Sequence, residues 1–147
     1  MISSKSFILF LSAIILVFSL ISCAPKFGEI IISQPDEYRR TYEAREKYVL
    51  RATVRVFKEK KMGSNVRVDQ VNKRVETDYI VQGDWRTRSM AKVSRLSWKE
   101  SELVLSVITE KKTETGWEMR RLLEAEQYAN LFDKIDLLIY EEMSKIE

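Results

Sequence analysis

Histidine is absent from this chain of 147 residues, and cysteine occurs only once, at Cys23. Without imidazole, the chain lacks the side chain that most often acts as general acid, general base or metal ligand near neutral pH. Glycine is scarce, with four residues, and none of them lies in a phosphate-binding loop motif. Four carboxylates fall in or beside strand-like segments, where surface charge is the usual role: Asp69, Glu76, Asp78 and Asp84. The sequence therefore predicts a protein that is not an enzyme and binds no metal.

Long apolar runs are confined to the N-terminal region. Residues 7–21 form such a run, after a short start that carries one positive charge, Lys5. A membrane-spanning helix needs about 20 apolar residues, so this run is marginal as a permanent span. A positive start, a short apolar run and a small residue before a cleavage point are typical of a secretory signal peptide. An ordinary signal peptide or a membrane helix beside an incidental cysteine is the alternative interpretation.

The end of this run, Leu20, Ile21, Ser22 and Cys23, resembles the lipobox of bacterial lipoproteins. In that family a diacylglycerol is attached to the cysteine thiol, the chain is cut before the cysteine, and the new amine is acylated. The resemblance implies a signal peptide over residues 1–22 and a covalent lipid on Cys23, with no other cofactor. It also explains the unpaired cysteine, since secreted chains usually use cysteines in pairs. Two or more acyl chains, at about 0.8 kcal/mol per buried methylene, hold a protein durably on a bilayer.

The residues after Cys23 indicate which membrane carries the lipid. In enteric bacteria an aspartate directly after the acylated cysteine retains a lipoprotein in the inner membrane, whereas Ala24, Pro25 and Lys26 follow here. The resemblance therefore implies the outer membrane, with the protein facing the periplasm. Lys5 is the only charged residue in the signal peptide, so 25 basic residues become 24 against 22 acidic ones. Because the two signs are interspersed, we expect no nucleic-acid partner.

After the predicted cleavage the chain is long enough for one domain with a single core. Residues 23–35 are predicted to be the acylated cysteine and a tether, and residues 36–147 a single α+β domain. The tether includes GEIIISQP, residues 28–35, whose isoleucines either form a first edge strand or lie against the domain. Asp36 suits a helix N-cap, and the apolar face after it predicts a helix over residues 36–60. A strand over residues 49–58 is the competing interpretation.

The central part of the chain alternates apolar and polar residues with a period of two. Turn clusters separate the alternating segments, which predicts an antiparallel meander of four to five strands. Residues 124–144 repeat at helical spacing instead, with Ile135 in the middle of the apolar stripe. An N-terminal and a C-terminal helix flanking the meander predict a two-layer, helix-grip-like α+β domain.

The order of these segments carries a second resemblance. A helix, the strand pair around VETDYIV, the strands WRTRSMAKV and ELVLSVIT, and a closing helix with YANLFDKI resemble the helix-grip domains of BamC-type lipoproteins. Those proteins are accessory subunits of the machine that inserts barrel proteins into the outer membrane. The match covers about residues 36–146 and includes a Thr-Asp-aromatic run before a strand with arginines on one face: Thr77, Asp78, Tyr79, Arg86 and Arg88.

This resemblance implies a non-enzymatic accessory or scaffold that binds proteins during envelope assembly. The family has two such domains and a long N-terminal arm that grips a partner subunit, whereas this chain has one domain and a short tether. The predicted binding residues are three cations on one face of the long strand: Arg86, Arg88 and Lys92. A solvated sheet face is the alternative role for the same three residues. The opposite face of that strand carries Trp85, Ala91 and Val93.

The aromatic residues supply a further candidate site. Trp85, Trp98 and Trp117, with Tyr79, are either core and edge residues or a docking surface for a peptide or lipid. A small carrier or sensor is the alternative function, with an apolar ligand between the sheet and the C-terminal helix. We expect its cavity, if present, to be lined by three residues: Trp85, Leu105 and Ile135. A filled core favours the scaffold instead.

Overall fold

The computed structural model describes residues 28–145, so the predicted signal peptide and Cys23 lie outside the described residues. Within this range the chain forms seven strands and two helices, in the order β1 (Tyr38–Tyr42), α1 (Glu46–Glu59), β2 (Ser64–Asp69), β3 (Arg74–Asp78), β4 (Ile80–Gln82), β5 (Trp85–Arg95), β6 (Ser101–Thr113), β7 (Gly116–Arg120) and α2 (Ala125–Ser144). The predicted α+β class, with an antiparallel sheet and a helix near each end of the domain, is confirmed. Neither of these two helices is long and apolar enough to cross a membrane.

The strands are arranged around the long pair of β5 and β6, which runs from Trp85 opposite Lys111 to Arg95 opposite Ser101. Along the other edge of β5, β3 and β4 follow one another, and β2 pairs with β3. Along the other edge of β6, β1 and β7 follow one another. The described part therefore has seven strands rather than the predicted four to five, because two positions across the sheet are each shared by two short strands.

The N-terminal helix is shorter than predicted. It begins at Glu46 rather than at Asp36, and the residues between them include strand β1. Tyr38 and Tyr42 share a face at either helical or strand spacing, but β1 gains backbone pairing with β6 along its whole length. Asp36 is not an N-cap, because its carboxylate accepts two hydrogen bonds from the Arg121 guanidinium, at 2.7 and 3.0 Å. Pairing with a distant strand thus determines the secondary structure of a segment whose residue spacing fits either a helix or a strand.

A β-bulge at Tyr79 divides a segment that the sequence predicted to alternate without interruption. In β3, Val75 lies opposite Ala91, whereas in β4, Val81 lies opposite Arg86. The extra residue reverses the phase of the alternation, so Val75 faces the helices and Val81 faces away from them. The period-two alternation of this segment predicts that Val75 and Val81, with Thr77 and Tyr79 between them, share one face, and this prediction is wrong. The bulge places Tyr79 on the same side of the sheet as Arg86.

Both helices pack on one face of the sheet and share a single apolar core. The helix prediction over residues 49–58 is confirmed and the strand alternative is wrong, because this segment lies within α1 and buries its apolar side chains. The sheet contributes inward residues from β3, β5 and β6. The core has fully buried members on both helices and on the strands: Val56, Val75, Leu105 and Ile135.

The segment before β1 is bound to the edge of the sheet. The Ile32 N–H donates to the Met119 carbonyl at 3.1 Å, and the Arg121 N–H donates to the Ile30 carbonyl at 2.8 Å. Of the two interpretations of the isoleucines, the edge position is therefore correct, and they extend the sheet by a short antiparallel bridge beyond β7. Their apolar character is explained by this edge position rather than by a free linker.

The described chain begins beside the first residue of β5. Gly28 has φ +74°, and a Cβ at this position would lie 2.7 Å from the indole ring of Trp85. Glycine is required here by both the left-handed backbone and the close approach of the ring. The chain therefore enters the domain at the Trp85 end of β5, opposite the end that carries the turn to β6.

Ile135→Asp is expected to unfold the domain, because it places an unpaired carboxylate at a side chain that is fully buried. Such burial costs several kcal/mol against a total stability of about 5–15 kcal/mol. Thermal melting followed by circular dichroism measures the effect. Leu137→Asp, at an exposed position of the same helix, is the matched control and should melt near the wild-type temperature. Equal melting temperatures for the two variants would contradict the described packing of α2.

Candidate functional site on the helix-free face of the sheet

One face of the sheet is covered by α1 and α2, whereas no helix of the described residues lies on the other, which we call the helix-free face. Every second residue of β5 and β6 is on this face. The register sets these residues opposite one another: Arg86 and Glu110, Arg88 and Ile108, Met90 and Ser106, Lys92 and Val104. Side chains on this face are therefore candidates for contact with a partner.

A groove of about 440 Å³ lies in the middle of the helix-free face. We call it the Ile108 groove, and its floor is mostly apolar. Ile108 is only 4% exposed, although it lies outside the apolar core that the helices cover. The Ser106 hydroxyl in the same groove is buried and has no hydrogen-bond partner among the described residues. The groove is lined by Pro35, Glu37, Arg74, Glu76, Met90, Ala91, Lys92, Val104, Ser106 and Ile108.

Next to the groove lies a stacked group that we call the Arg86 cluster, composed of Tyr79, Arg86, Arg88, Glu110 and Trp117. The Arg86 guanidinium lies 4.3 Å from the ring centre of Tyr79 and 4.3 Å from that of Trp117. Its Nε donates to a Glu110 carboxylate oxygen at 2.6 Å. The Arg88 guanidinium lies 5.0 Å from the Tyr79 ring. Cation–π stacking and a charge-assisted hydrogen bond together fix the position of Arg86.

The ionisation of the cluster follows from these contacts. Burial acts to raise the pKa of Glu110, but hydrogen bonds from Arg86 and Tyr79 outweigh it, so this pKa lies below its usual value. Burial, followed by the hydrogen bond to Glu110, raises the pKa of Tyr79. The hydrogen bond to Glu110 raises the pKa of Arg86. At neutral pH the cluster therefore contains a closed ion pair and a protonated tyrosine.

The structure places the three predicted cations on one face but in different settings. Arg86 is neutralised by Glu110, and Arg88 is half-buried with its Nε lacking a hydrogen-bond partner among the described residues. Lys92 alone is exposed, at the rim of the Ile108 groove. The row therefore consists of two arginines stacked on aromatic rings and one exposed ammonium group, rather than three equivalent charges.

The aromatic residues do not form one surface. Trp117 and Tyr79 meet around Arg86, but Trp85 lies on the opposite face of the sheet, and Trp98 lies in the turn between β5 and β6. Leu105 and Ile135 are fully buried in the core, whereas Trp85 lies outside the core, against Gly28. The three residues expected to line a carrier cavity are thus not brought together.

Two of the four acidic residues considered for acid–base chemistry, Asp69 and Asp78, accept hydrogen bonds through their carboxylates, and Asp84 accepts one through its backbone carbonyl. Asp69 accepts hydrogen bonds from the N–H groups of Val71 and Asn72 in the turn after β2. Asp78 accepts hydrogen bonds from the side chains of Asn65 and Arg67. Glu76 lines the Ile108 groove. No group of three or more potential metal-ligating side chains is found within residues 28–145.

Sequence reasoning did not join three members of the Arg86 cluster, Tyr79, Glu110 and Trp117, to Arg86 in one site. Glu110 was detectable in principle, because the turn between β5 and β6 fixes the register that sets Glu110 opposite Arg86. The position of Tyr79 depends on the bulge, for which the apolar–polar pattern gives no signal. Pro35 was predicted to lie in the tether and Glu37 in the N-terminal helix, so neither was expected to line a groove on the sheet.

Comparison with known proteins does not assign this chain to a family. No protein-family model matches the chain, and no curated protein gives a significant match.

Glu110→Gln is expected to lower the free energy of unfolding by about 1–2 kcal/mol at pH 7, because Gln keeps the shape but loses the charge that Arg86 requires. The pKa of Glu110 is lowered in the folded state, so its stabilisation is full above the usual value of 4.5 and disappears as the pH falls below the folded-state value. The difference between variant and wild type should therefore shrink on acidification, as measured by urea unfolding at pH 7 and pH 3.

Glu114→Gln, at an exposed position, is the control for this measurement and should leave stability nearly unchanged at both pH values. A Glu110→Gln deficit that is as large at pH 3 as at pH 7 would mean that the effect is not electrostatic.

Proposed function

We propose that this protein is a bacterial lipoprotein, anchored through lipid on Cys23 in the outer membrane and facing the periplasm. Its domain acts as a non-enzymatic accessory that binds a protein partner during envelope assembly, as the resemblance to BamC-type lipoproteins implies. The observation that carries the binding role is the Ile108 groove beside the Arg86 cluster, on a sheet face that no described helix covers.

The composition of this face suits a protein partner. The groove has an apolar floor and a rim of both charges, Glu37 and Glu76 with Arg74 and Lys92. An apolar centre with a polar rim is the usual anatomy of a protein interface. In the Arg86 cluster, tryptophan, tyrosine and arginine are already held in place, so binding them would cost little side-chain entropy.

The N-terminal segment supports the same assignment. In BamC-type proteins a long arm grips the partner subunit, whereas here residues 28–36 are bound to the domain's own sheet. Partner binding would then fall to the surface of the domain itself. The chain between Cys23 and Gly28 spans at most about 17 Å when fully extended, so a lipid on Cys23 would keep this surface close to the bilayer.

The carrier function is less well supported. It requires an apolar cavity between the sheet and α2, and the side chains expected to line it are either packed in the core or lie outside it. The filled core around Leu105 and Ile135 favours the scaffold.

Cys23→Ser is expected to abolish lipidation, leaving the protein uncleaved or soluble, because acyl chains supply the membrane affinity. Metabolic labelling with a palmitate analogue, followed by fractionation of the envelope, measures both effects. Ser22→Ala keeps a small residue before the cysteine and serves as the control, with labelling like the wild type. Equal labelling of Cys23→Ser and wild type would end the lipoprotein proposal.

The groove is tested by a photocrosslinking amino acid placed at Val104 in living cells. We expect discrete protein adducts from this position and none from Val71, which is 89% exposed in the turn between β2 and β3. Lys92→Glu should reduce the yield, and this reversal leaves the Arg86 cluster intact, whereas Arg86→Glu would set a carboxylate against Glu110. Identical adducts from both positions, or none from Val104, would contradict a binding role for the groove.

A further inference from the structure

The turn between β5 and β6 exposes two large apolar side chains. Leu96 is 55% exposed and Trp98 is 61% exposed. Tryptophan is highly buried on average in folded proteins, so an exposed Trp98 calls for a physical reason. The turn is also at the end of the sheet farthest from the point where the chain enters, since Gly28 contacts Trp85 at the other end of β5.

This turn is held rigidly. The N–H groups of Leu96 and Ser97 donate to the Glu100 carbonyl, at 3.0 and 3.1 Å. The Ser97 hydroxyl oxygen accepts from the N–H groups of Lys99 and Glu100, at 3.2 and 3.1 Å. Trp98 is therefore presented on a hydrogen-bonded turn, so a partner that binds it need not order this backbone.

A pocket of about 310 Å³ lies between Trp98 and the start of α1. We call it the Trp98 pocket, and it is lined by Arg45, Glu46, Lys47, Arg95, Ser97 and Trp98. Within residues 28–145, Arg45, Lys47 and Arg95 have no carboxylate within 4.0 Å. The one acid in the pocket, Glu46, lies 3.9 Å from Lys73 outside it.

A second depression beside Trp98 has no excess of positive charge. It shares Arg45, Ser97 and Trp98 with the Trp98 pocket. Its two cations, Arg45 and Lys99, are matched by two acids, Glu43 and Glu100. The Ser97 hydroxyl donates to a Glu100 carboxylate oxygen at 3.4 Å, and the Lys99 ammonium nitrogen lies 4.3 Å from the centre of the Trp98 ring. The excess of positive charge is thus confined to the Trp98 pocket.

We infer that the Trp98 pocket binds an acidic segment of a protein partner, with carboxylates at Arg45, Lys47 and Arg95 and an apolar side chain against Trp98. Three cations with no carboxylate within 4.0 Å among the described residues match negative charge, and an exposed tryptophan beside them is a common anchor at interfaces. This second docking surface is separate from the Ile108 groove, which involves none of these residues.

The choice of a protein over a lipid surface rests on the proposed anchor at Cys23. Strand β5 has 11 residues and so spans about 33 Å from Trp85 to Arg95. The chain from Cys23 to Gly28 extends over at most about 17 Å. If the lipid holds the Trp85 end at the bilayer, the Trp98 pocket lies at the far end and faces the periplasm.

The test uses the full-length protein in nonionic detergent and a fluorescein-labelled peptide in which Glu and Phe alternate, followed by fluorescence anisotropy. The triple variant Arg45→Gln, Lys47→Gln and Arg95→Gln should bind at least about tenfold more weakly, because three charge-assisted contacts are lost. Trp98→Ala should weaken binding as well. The control variant Lys58→Gln, Lys60→Gln and Lys112→Gln removes the same charge at exposed positions elsewhere and should bind like the wild type.

Two results would overturn the inference. The first is equal binding of a matched peptide in which Gln replaces Glu, since recognition would then not be of carboxylates. The second is an equal loss in the control variant, since attraction would then come from net charge alone. Circular dichroism of each variant verifies that the fold is retained, and binding is measured only on folded protein.

A second measurement separates a protein partner from the bilayer. The full-length protein is placed in nanodiscs of brominated phospholipid, which quench tryptophans that touch the membrane. The absolute fluorescence intensity that the brominated lipid removes should be the same for the wild type and Trp98→Phe. A smaller loss of intensity in Trp98→Phe would show that this turn lies on the bilayer. Peptide binding does not depend on lipidation, so a failed anchor and a failed Trp98 pocket give different results.

Discussion

The antiparallel pairing of β5 with β6 is the interaction on which the other elements depend. Its eleven residue pairs present two long edges, one used by β3 and β4 and the other by β1 and β7. Its inward residues form the floor of the core, against which both helices pack. Its register also sets Arg86 opposite Glu110. A weakened pair would therefore affect the core, the helix-free face and the Trp98 pocket together.

The helix-free face acquires its chemistry from two departures from regular structure. Strict alternation would place the Tyr79 ring on the face that the helices cover. The bulge places it on the helix-free face instead, where it stacks on Arg86. The segment before β1 adds Pro35 and Glu37 as a wall of the Ile108 groove. A regular five-stranded sheet with a free linker would have neither the cluster nor the groove. Irregularity here supplies the candidate site.

The sequence was sufficient for features that depend on local periodicity. The α+β class, the long strand and the closing helix through Ile135 follow from side-chain spacing, which burial then enforces. For residues 49–58 the spacing favoured a helix but left a strand open. It was insufficient where pairing with a distant strand determines the secondary structure. Tyr38 and Tyr42 fit both the helical and the strand period, and only pairing with β6 makes this segment a strand. It also missed the phase change at Tyr79, and the pairing of Glu110 with Arg86 requires a known register. The Trp98 pocket joins the start of α1 to the end of β5 and the turn that follows it, and no local pattern predicts that these segments lie close together.

The pairing of the N-terminal segment with late strands has a consequence for the order of folding. Within the part of the chain that the structure describes, residues 30–32 and strand β1 pair with residues between Ser101 and Arg121. Because a chain is made from its N-terminus, these residues are synthesised long before their partners exist. Closing so long a loop is entropically costly, and sheets with distant pairings form slowly. Residues 30–32 and β1 can therefore take their places in the sheet only after residues 101–121 have been made.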